Sequence, residues 1–413
     1  MKGDTVRNED DLAQRLLEPL RGEPDGPPRI DVDRAMREGR RRRRTRHWST
    51  ALAVTAVTAV TAGGGTVMVA AAKNDAEPRP TASAPPSAGV TPAAPAVKVN
   101  CAVARLPTDG IKKALVTSGD PSGHYLAGRV YPPSGNRRVG VVLWKDGRIV
   151  DRPDMPGSDP SLDDINSSGI AVGTSFDGDR RYAYVYRDGA FSKLTRGQAS
   201  VRAINDAGVM VGSIGPDDTA VPVRWPSPGA PPERLQLPRG VEAGSASDVD
   251  EDGTVLGSIP QKKAQGTGYL WLADGTNKAI PLPTVDGRKA DAFWPDSMAA
   301  GKVIGRAVFE DKSSTSFTTV LYDIAVDEFD QLTQLDGPKI AANGSILAVK
   351  WLDVDKRIPV LMAGGRTTNL PTKGKRDFVA SSISRDGRVL AGYSVGSEQS
   401  GPISNDPWVW NCT

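Results

Sequence analysis

From residue 100 to the end of the chain, short apolar runs alternate with turns built on glycine. The stretch "VRAINDAGVMVGS" (201–213) is typical, with two apolar runs on either side of Asn-Asp-Ala-Gly. The runs are too short for core helices and rich in β-branched residues, so they predict strands joined by tight turns. The same pattern returns clearly in "DINSSGIAVGTS" (164–175), "AINDAGVMVGSI" (203–214) and "DVDEDGTVLGSI" (248–259). Weaker copies are "DSMAAGKVIGRA" (296–307), "IAANGSILAVKW" (340–351) and "SISRDGRVLAGYS" (382–394), after a degenerate first copy, "SGDPSGHYLAGRV" (118–130). The turn glycines are Gly123, Gly169, Gly208, Gly253, Gly301, Gly344 and Gly387, spaced 39 to 48 residues apart. A strand-rich period in the forties predicts an all-β, seven-bladed β-propeller, with six or eight blades as the alternatives.

Each unit parses into four strands. A first strand enters the Gly turn, and a second leaves it with another Gly that predicts a close backbone neighbour. A third strand is aromatic, as in "VVLWKDG", "YVYRDG" and "YLWLADG". The fourth is short, as in "FSKLT" and "KAIPLP". The last unit ends at "PWVWNCT" without a fourth strand, whereas "VNCAVARLP" (99–107) precedes the first unit and looks like one. The N-terminal strand should therefore complete the last sheet. Cys101 and Cys412, the two cysteines of the chain, would then stand where the turn between third and fourth strands is missing. A Cys101–Cys412 disulfide is expected there, and it implies an oxidising compartment.

Residues 1–98 read differently. Residues 1–47 carry 13 Lys/Arg against 10 Asp/Glu, which leaves 39 of each in the remainder. That neutral remainder argues against a nucleic-acid partner, which needs a basic face. Arg40 to Arg44 and Arg46 precede residues 48–72, "WSTALAVTAVTAVTAGGGTVMVAAA", which have no charge. Such a stretch is long enough to span a bilayer as one helix, and the arginines place its N-terminal side in the cytoplasm. We expect a signal anchor; cleavage after Ala72 is the alternative. Residues 73–98 are rich in Pro and Ala and read as a linker. The expected organisation is thus a cytoplasmic basic segment (1–47), a transmembrane helix (48–72), a linker (73–98) and an extracellular propeller (99–413) of a bacterial cell envelope.

Units of the form D-I-N-x-x-G-x-x-V-G resemble the bacterial extracellular repeats of the HAF family over roughly residues 115–394. Asp164, Asn166, Gly169 and Gly173 match the motif; the units at Gly301 and Gly344 depart from it. "SRDGRVLAG" resembles the strand-turn-strand of TolB-like propellers, and a WD40-like resemblance is weaker. All imply a propeller and none implies a shared activity.

Candidate chemistry is sparse. The chain has two histidines, His47 and His124, and no P-loop or zinc cluster. Asp248, Asp250, Asp252 and Gly253 match the first half of a calcium loop, but Ile259 stands where the closing Glu belongs. Ca²⁺ is the one cofactor considered, and the repeat turn explains the same residues without it. The turns after the first and third strands are stereotyped. The other connections vary in length and chemistry, and in a propeller they open on one face, which marks a binding face. Trp294 and Trp351 are placed in those loops, with Arg180 and Lys262 nearby, a composition that suits a sugar or a peptide. The leading expectation is a binding module for an envelope glycan, small ligand or protein partner. A carbohydrate-active hydrolase or lyase and a structural spacer are the alternatives.

Overall fold

The computed structural model describes residues 99–133, 139–261, 264–311, 314–332, 335–353, 356–396 and 404–413. The expected cytoplasmic segment, transmembrane helix and linker lie outside the described residues, as does Lys262. Among the described residues no helix is long and apolar enough to cross a membrane.

The described residues form strands in five four-stranded antiparallel sheets, one eight-stranded sheet and a two-stranded hairpin. The eight-stranded sheet joins two four-stranded groups through one parallel bridge, Lys113 to Asn405. In chain order the four-stranded groups cover 113–151, 158–193, 199–234, 245–279, 292–331, 336–369 and 378–412, the last completed by Cys101–Arg105. They are called groups one to seven below. Their first strands lie side by side in chain order, and that of group seven returns to that of group one. The ring is therefore closed, with the first strands innermost.

Closure follows the sequence expectation. Cys101–Arg105 pairs antiparallel with Asn405–Cys412, placing Cys101 opposite Cys412. The neighbouring pair, Asn100 and Thr413, exchanges both backbone hydrogen bonds. Cys101 and Cys412 thus form a non-hydrogen-bonded pair, the type that brings side chains closest, and they are joined by a disulfide. Its sequence separation of 311 residues gives an upper estimate of roughly 5 kcal/mol from loop-closure entropy.

Neither face of a sheet can be left to water alone, so the groups pack face to face. The third strands supply Trp144, Tyr186, Trp225, Trp271, Tyr322 and Trp410, all buried. Trp144 donates its indole N–H to the Pro107 carbonyl, and Trp410 does the same to Pro371, each reaching the end of the preceding group. The recurring aromatic of the third strand is thus core. All seven turn glycines have positive φ, from 72° at Gly387 to 91° at Gly253, where a side chain would be strained.

Both tryptophans singled out from the sequence occupy strands and not loops. Trp294 lies in Ala292–Ala299, the first strand of group five, opposite Arg306. Trp351 lies in Ile346–Asp353, the second strand of group six. The difference has a local cause. Group five turns through only Ala300 and Gly301, between the paired residues Ala299 and Lys302. The hairpin of group five is also longer than its neighbours, and the second strand of group six runs on to Asp353, so segments read as loops continue the ladder.

Candidate ligand-binding site

Every innermost strand carries an irregularity in its register with the second strand. In six groups one extra residue is inserted: Thr117, Asp163, Arg202, Ser247, Asp296 and Ser381. All six line an axial cavity of about 220 Å³. A bulge bends its strand and re-aims a side chain; here the same device is repeated round the axis. It also explains the second Gly of the repeat. A Cβ built on Gly212 would collide with the Ser200 carbonyl, and one on Gly257 with that of Ser245, both just before the bulge. Group six has Ala348 at that place, and it too gains one residue on the first strand, between Asp336 and Lys339 opposite Val349 and Leu347.

The cavity wall holds Asp163, Asp164, Asp248, Asp250, Glu251 and Asp296 against Arg202, Lys339 and Arg385. This excess of acid in a narrow space disfavours ionisation. Burial pushes Asp164 up to about 7, against hydrogen bonds from Ser118 and the Ile204 N–H. Burial likewise pushes Asp163 up to about 6, against the charge of Arg202 and a hydrogen bond from Thr174. Asp248 rises to about 6 for the same first reason, opposed by the Met298 N–H and by Lys339. Burial also raises Asp296, which Arg306 grips through two hydrogen bonds of 3.0 Å.

These carboxylates are already employed. Asp164 accepts the Ser118 hydroxyl at 2.7 Å from group one and the Ile204 N–H at 2.9 Å from group three. Asp248 accepts the Met298 N–H of group five at 2.8 Å. The Asn of the repeat works the same way. Asn166 accepts the N–H groups of Ser168 and Ile170 in its own turn and donates to the Asn205 carbonyl of the next. Asn205 repeats this with Val209 and the Asp250 carbonyl. The D-I-N signature is therefore a latch between neighbouring sheets.

The three aspartates weighed as a calcium loop each have separate work. Asp248 holds Met298, Asp250 accepts the Gly301 N–H at 3.1 Å, and Asp252 accepts both the N–H and the hydroxyl of Thr254. Among the described residues no cluster of three or more metal-binding side chains occurs.

At the rim of the Gly turns, Arg385 of group seven crosses to groups three and four, 3.2 Å from Asp206 and 2.9 Å from Glu251. Such half-exposed pairs are individually weak, but they lie over the axis where the turns converge. His124 and Asp146 pair on this rim at 2.6 Å, and that hydrogen bond raises the exposed imidazole. The contact brings the turns after a first and a third strand together, as expected for one face.

The opposite rim carries the varied connections. Trp294 stacks on Phe317, with ring centres 5.4 Å apart, and Arg306 lies over both rings. It is folded into its own sheet. Trp351 stays 47% exposed beside Leu352 at 49%, with the Arg357 guanidinium 5.1 Å from the indole centre. Arg180 is exposed at the start of Arg180–Arg187 in group two. The structure thus does not gather Trp294, Trp351 and Arg180 into one pocket; they belong to groups five, six and two. The axial cavity was missed from the sequence, although the adjacent Asp163 and Asp164 were a visible signal.

No protein family and no curated protein matches the sequence. The likeness is structural. The β-propeller domain of the Trilobed protease from Pyrococcus furiosus is 10% identical, with a TM-score of 0.52 over 73% of this chain and 94% of that one. The acylaminoacyl peptidase of Pyrococcus horikoshii is 14% identical, with a TM-score of 0.50 over 73% of this chain and 52% of that one. TolB from Acinetobacter baumannii matches more loosely, at 14% identity and a TM-score of 0.39, and the chain spans 65% of its length. The fold is a β-propeller. The Pyrococcus furiosus domain is described as having an open velcro topology, whereas here the first and last strands pair and are covalently joined.

Proposed function

We propose that this chain is a membrane-anchored, extracytoplasmic, seven-bladed β-propeller that acts as a binding module. The anchor reading rests on the uncharged stretch 48–72 and the arginines before it. The disulfide fits the oxidising side of that membrane. The HAF-type kinship rests on the D-I-N-x-x-G motif.

One observation carries the binding reading. Trp351 and Leu352 project at the end of a strand whose first four residues are buried and whose last four are exposed. Two adjacent large apolar side chains held half in water are a contact surface. The partner is an envelope glycan or protein met on the rim of the varied loops. The test is photo-crosslinking in intact cells, with the reactive residue placed at 351 or, on the other rim, at 252. Adducts at 351 alone support the reading; equal labelling, or labelling at 252 alone, contradicts it.

A carbohydrate-active hydrolase or lyase is the second reading, favoured by the raised carboxylates of the axial cavity. It ranks lower because Asp164 and Asp248 are engaged in holding neighbouring groups. Glycan cleavage abolished by Asp163→Asn would reverse that order.

A further inference from the structure

Just before each bulge, a residue of the innermost strand faces one of the second strand across the ladder, and the occupants differ round the ring. Groups two, three and four have Ser161 with Thr174, Ser200 with Ser213, and Ser245 with Ser258. Groups one, five and seven have Leu115 with Arg129, Trp294 with Arg306, and Val379 with Tyr393. Group six has Asp336 with Val349. Bulky pairs fill groups one, five and seven, and three successive groups are kept small and hydroxylic.

A groove of about 770 Å³ opens where they are small, between groups three and four. Its walls include both serine pairs, hydrogen-bonded at 2.9 Å in group three and 3.1 Å in group four. One hydroxyl in each pair donates to the other, which leaves the second O–H of the pair to donate elsewhere. Gly244 and Ala246 add depth without bulk. Arg181, ion-paired with Asp217, enters from group two, and its buried Nε has no hydrogen-bond partner. A buried donor left unmatched in a pocket wall calls for an acceptor. Arg202 and Ser247 line both this groove and the axial cavity, so the two are adjacent.

We infer that the groove between groups three and four binds a short neutral oligosaccharide. The inference deepens the binding-module reading and rests on it. Two arginines face two aspartates, Asp217 and Asp218, so the groove selects no net charge. Paired hydroxyls, a guanidinium fork and carboxylates match ligands that donate and accept along their whole length. A peptide would need an apolar anchor pocket, and among the described residues no aromatic side chain lines this groove. The volume lies within the ~300–1,000 Å³ range of small-ligand sites.

The experiment is a glycan array of neutral and acidic oligosaccharides probed with the full-length chain, with the retained sugars titrated by calorimetry. A neutral oligosaccharide should bind. Ser258→Tyr, which copies the bulk of Tyr393, should weaken it at least tenfold, and Ser258→Ala several-fold. Val326→Ala, an exposed side chain in the turn after the third strand of group five, should leave it unchanged. No retained saccharide, acidic sugars alone, or affinity indifferent to both Ser258 variants would overturn the inference. Binding lost only with Trp351→Ala would refute the groove and leave the binding-module reading standing. Loss of crosslinks at residue 351 with saccharide binding intact would do the reverse.

Discussion

The two rims of the ring are built from the same repeat and obey different rules. On the Gly-turn rim the same kind of link recurs from sheet to sheet. Asn166 reaches the turn of group three and Asn205 that of group four, and Asn343, two places further along its own turn, reaches that of group seven. On the other rim, one structural position holds Ser, Trp, Leu, Val or Asp, and hairpin length changes from group to group. The first rim is uniform because every link must fit its neighbour for the ring to close. The second is released from that constraint, so its differences are where recognition can be encoded.

The sharpest way to break the holding rim is at the seam. Replacing Cys101 and Cys412 with Ser should lower stability by up to about 5 kcal/mol, seen as a lower denaturation midpoint equal to that of the reduced wild type. An unchanged midpoint would show that strand pairing alone closes the ring. Next comes Asn205→Ala, which removes a buried side chain, leaves the Val209 N–H without its acceptor and cuts the link to the Asp250 carbonyl of the next turn. We expect a loss of about 1–3 kcal/mol in urea unfolding.

A third test uses pH. Asp163, Asp164 and Asp248 have raised values in the folded chain, about 6, 7 and 6, against about 3.9 unfolded. Between these limits the folded state holds more protons than the unfolded state, so stability falls as pH rises from about 4 to 7. The thermal midpoint should be higher at pH 5 than at pH 8. Asp164→Asn, which keeps an acceptor for Ile204, should flatten that slope. The smallest effect is expected on the binding rim: Trp351→Ala should change stability by no more than about 0.5 kcal/mol while removing the crosslinks formed by a reactive residue placed at 352.

Much of the holding rim was legible in the sequence. Turn glycines announce positive φ, and the missing fourth strand after Cys412 points to Cys101 as its partner. The binding rim was less legible for a geometric reason. Side chains alternate with a period of two, and one inserted residue reverses the faces beyond it. Neither the axial placement of Asp163 and Arg202 nor the pairing of Ser245 with Ser258 follows from spacing until the bulge is located. Trp294 and Trp351 were misplaced because loop-like segments extended the hairpins. Asp248 and Asp250 resembled half a metal loop because the interlocking of sheets also calls for carboxylates two residues apart, one for Met298 and one for Gly301.

The division of labour is tested most directly by two full-length variants compared side by side, Asn205→Ala and Ser258→Tyr, each measured for thermal midpoint and for retention on the oligosaccharide array. The account predicts that Asn205→Ala lowers the midpoint and, well below it, still binds, while Ser258→Tyr keeps the midpoint and loses the sugar. If the two variants lose stability and binding together, or if Ser258→Tyr binds as well as the wild type, the separation into a holding rim and a binding rim is wrong.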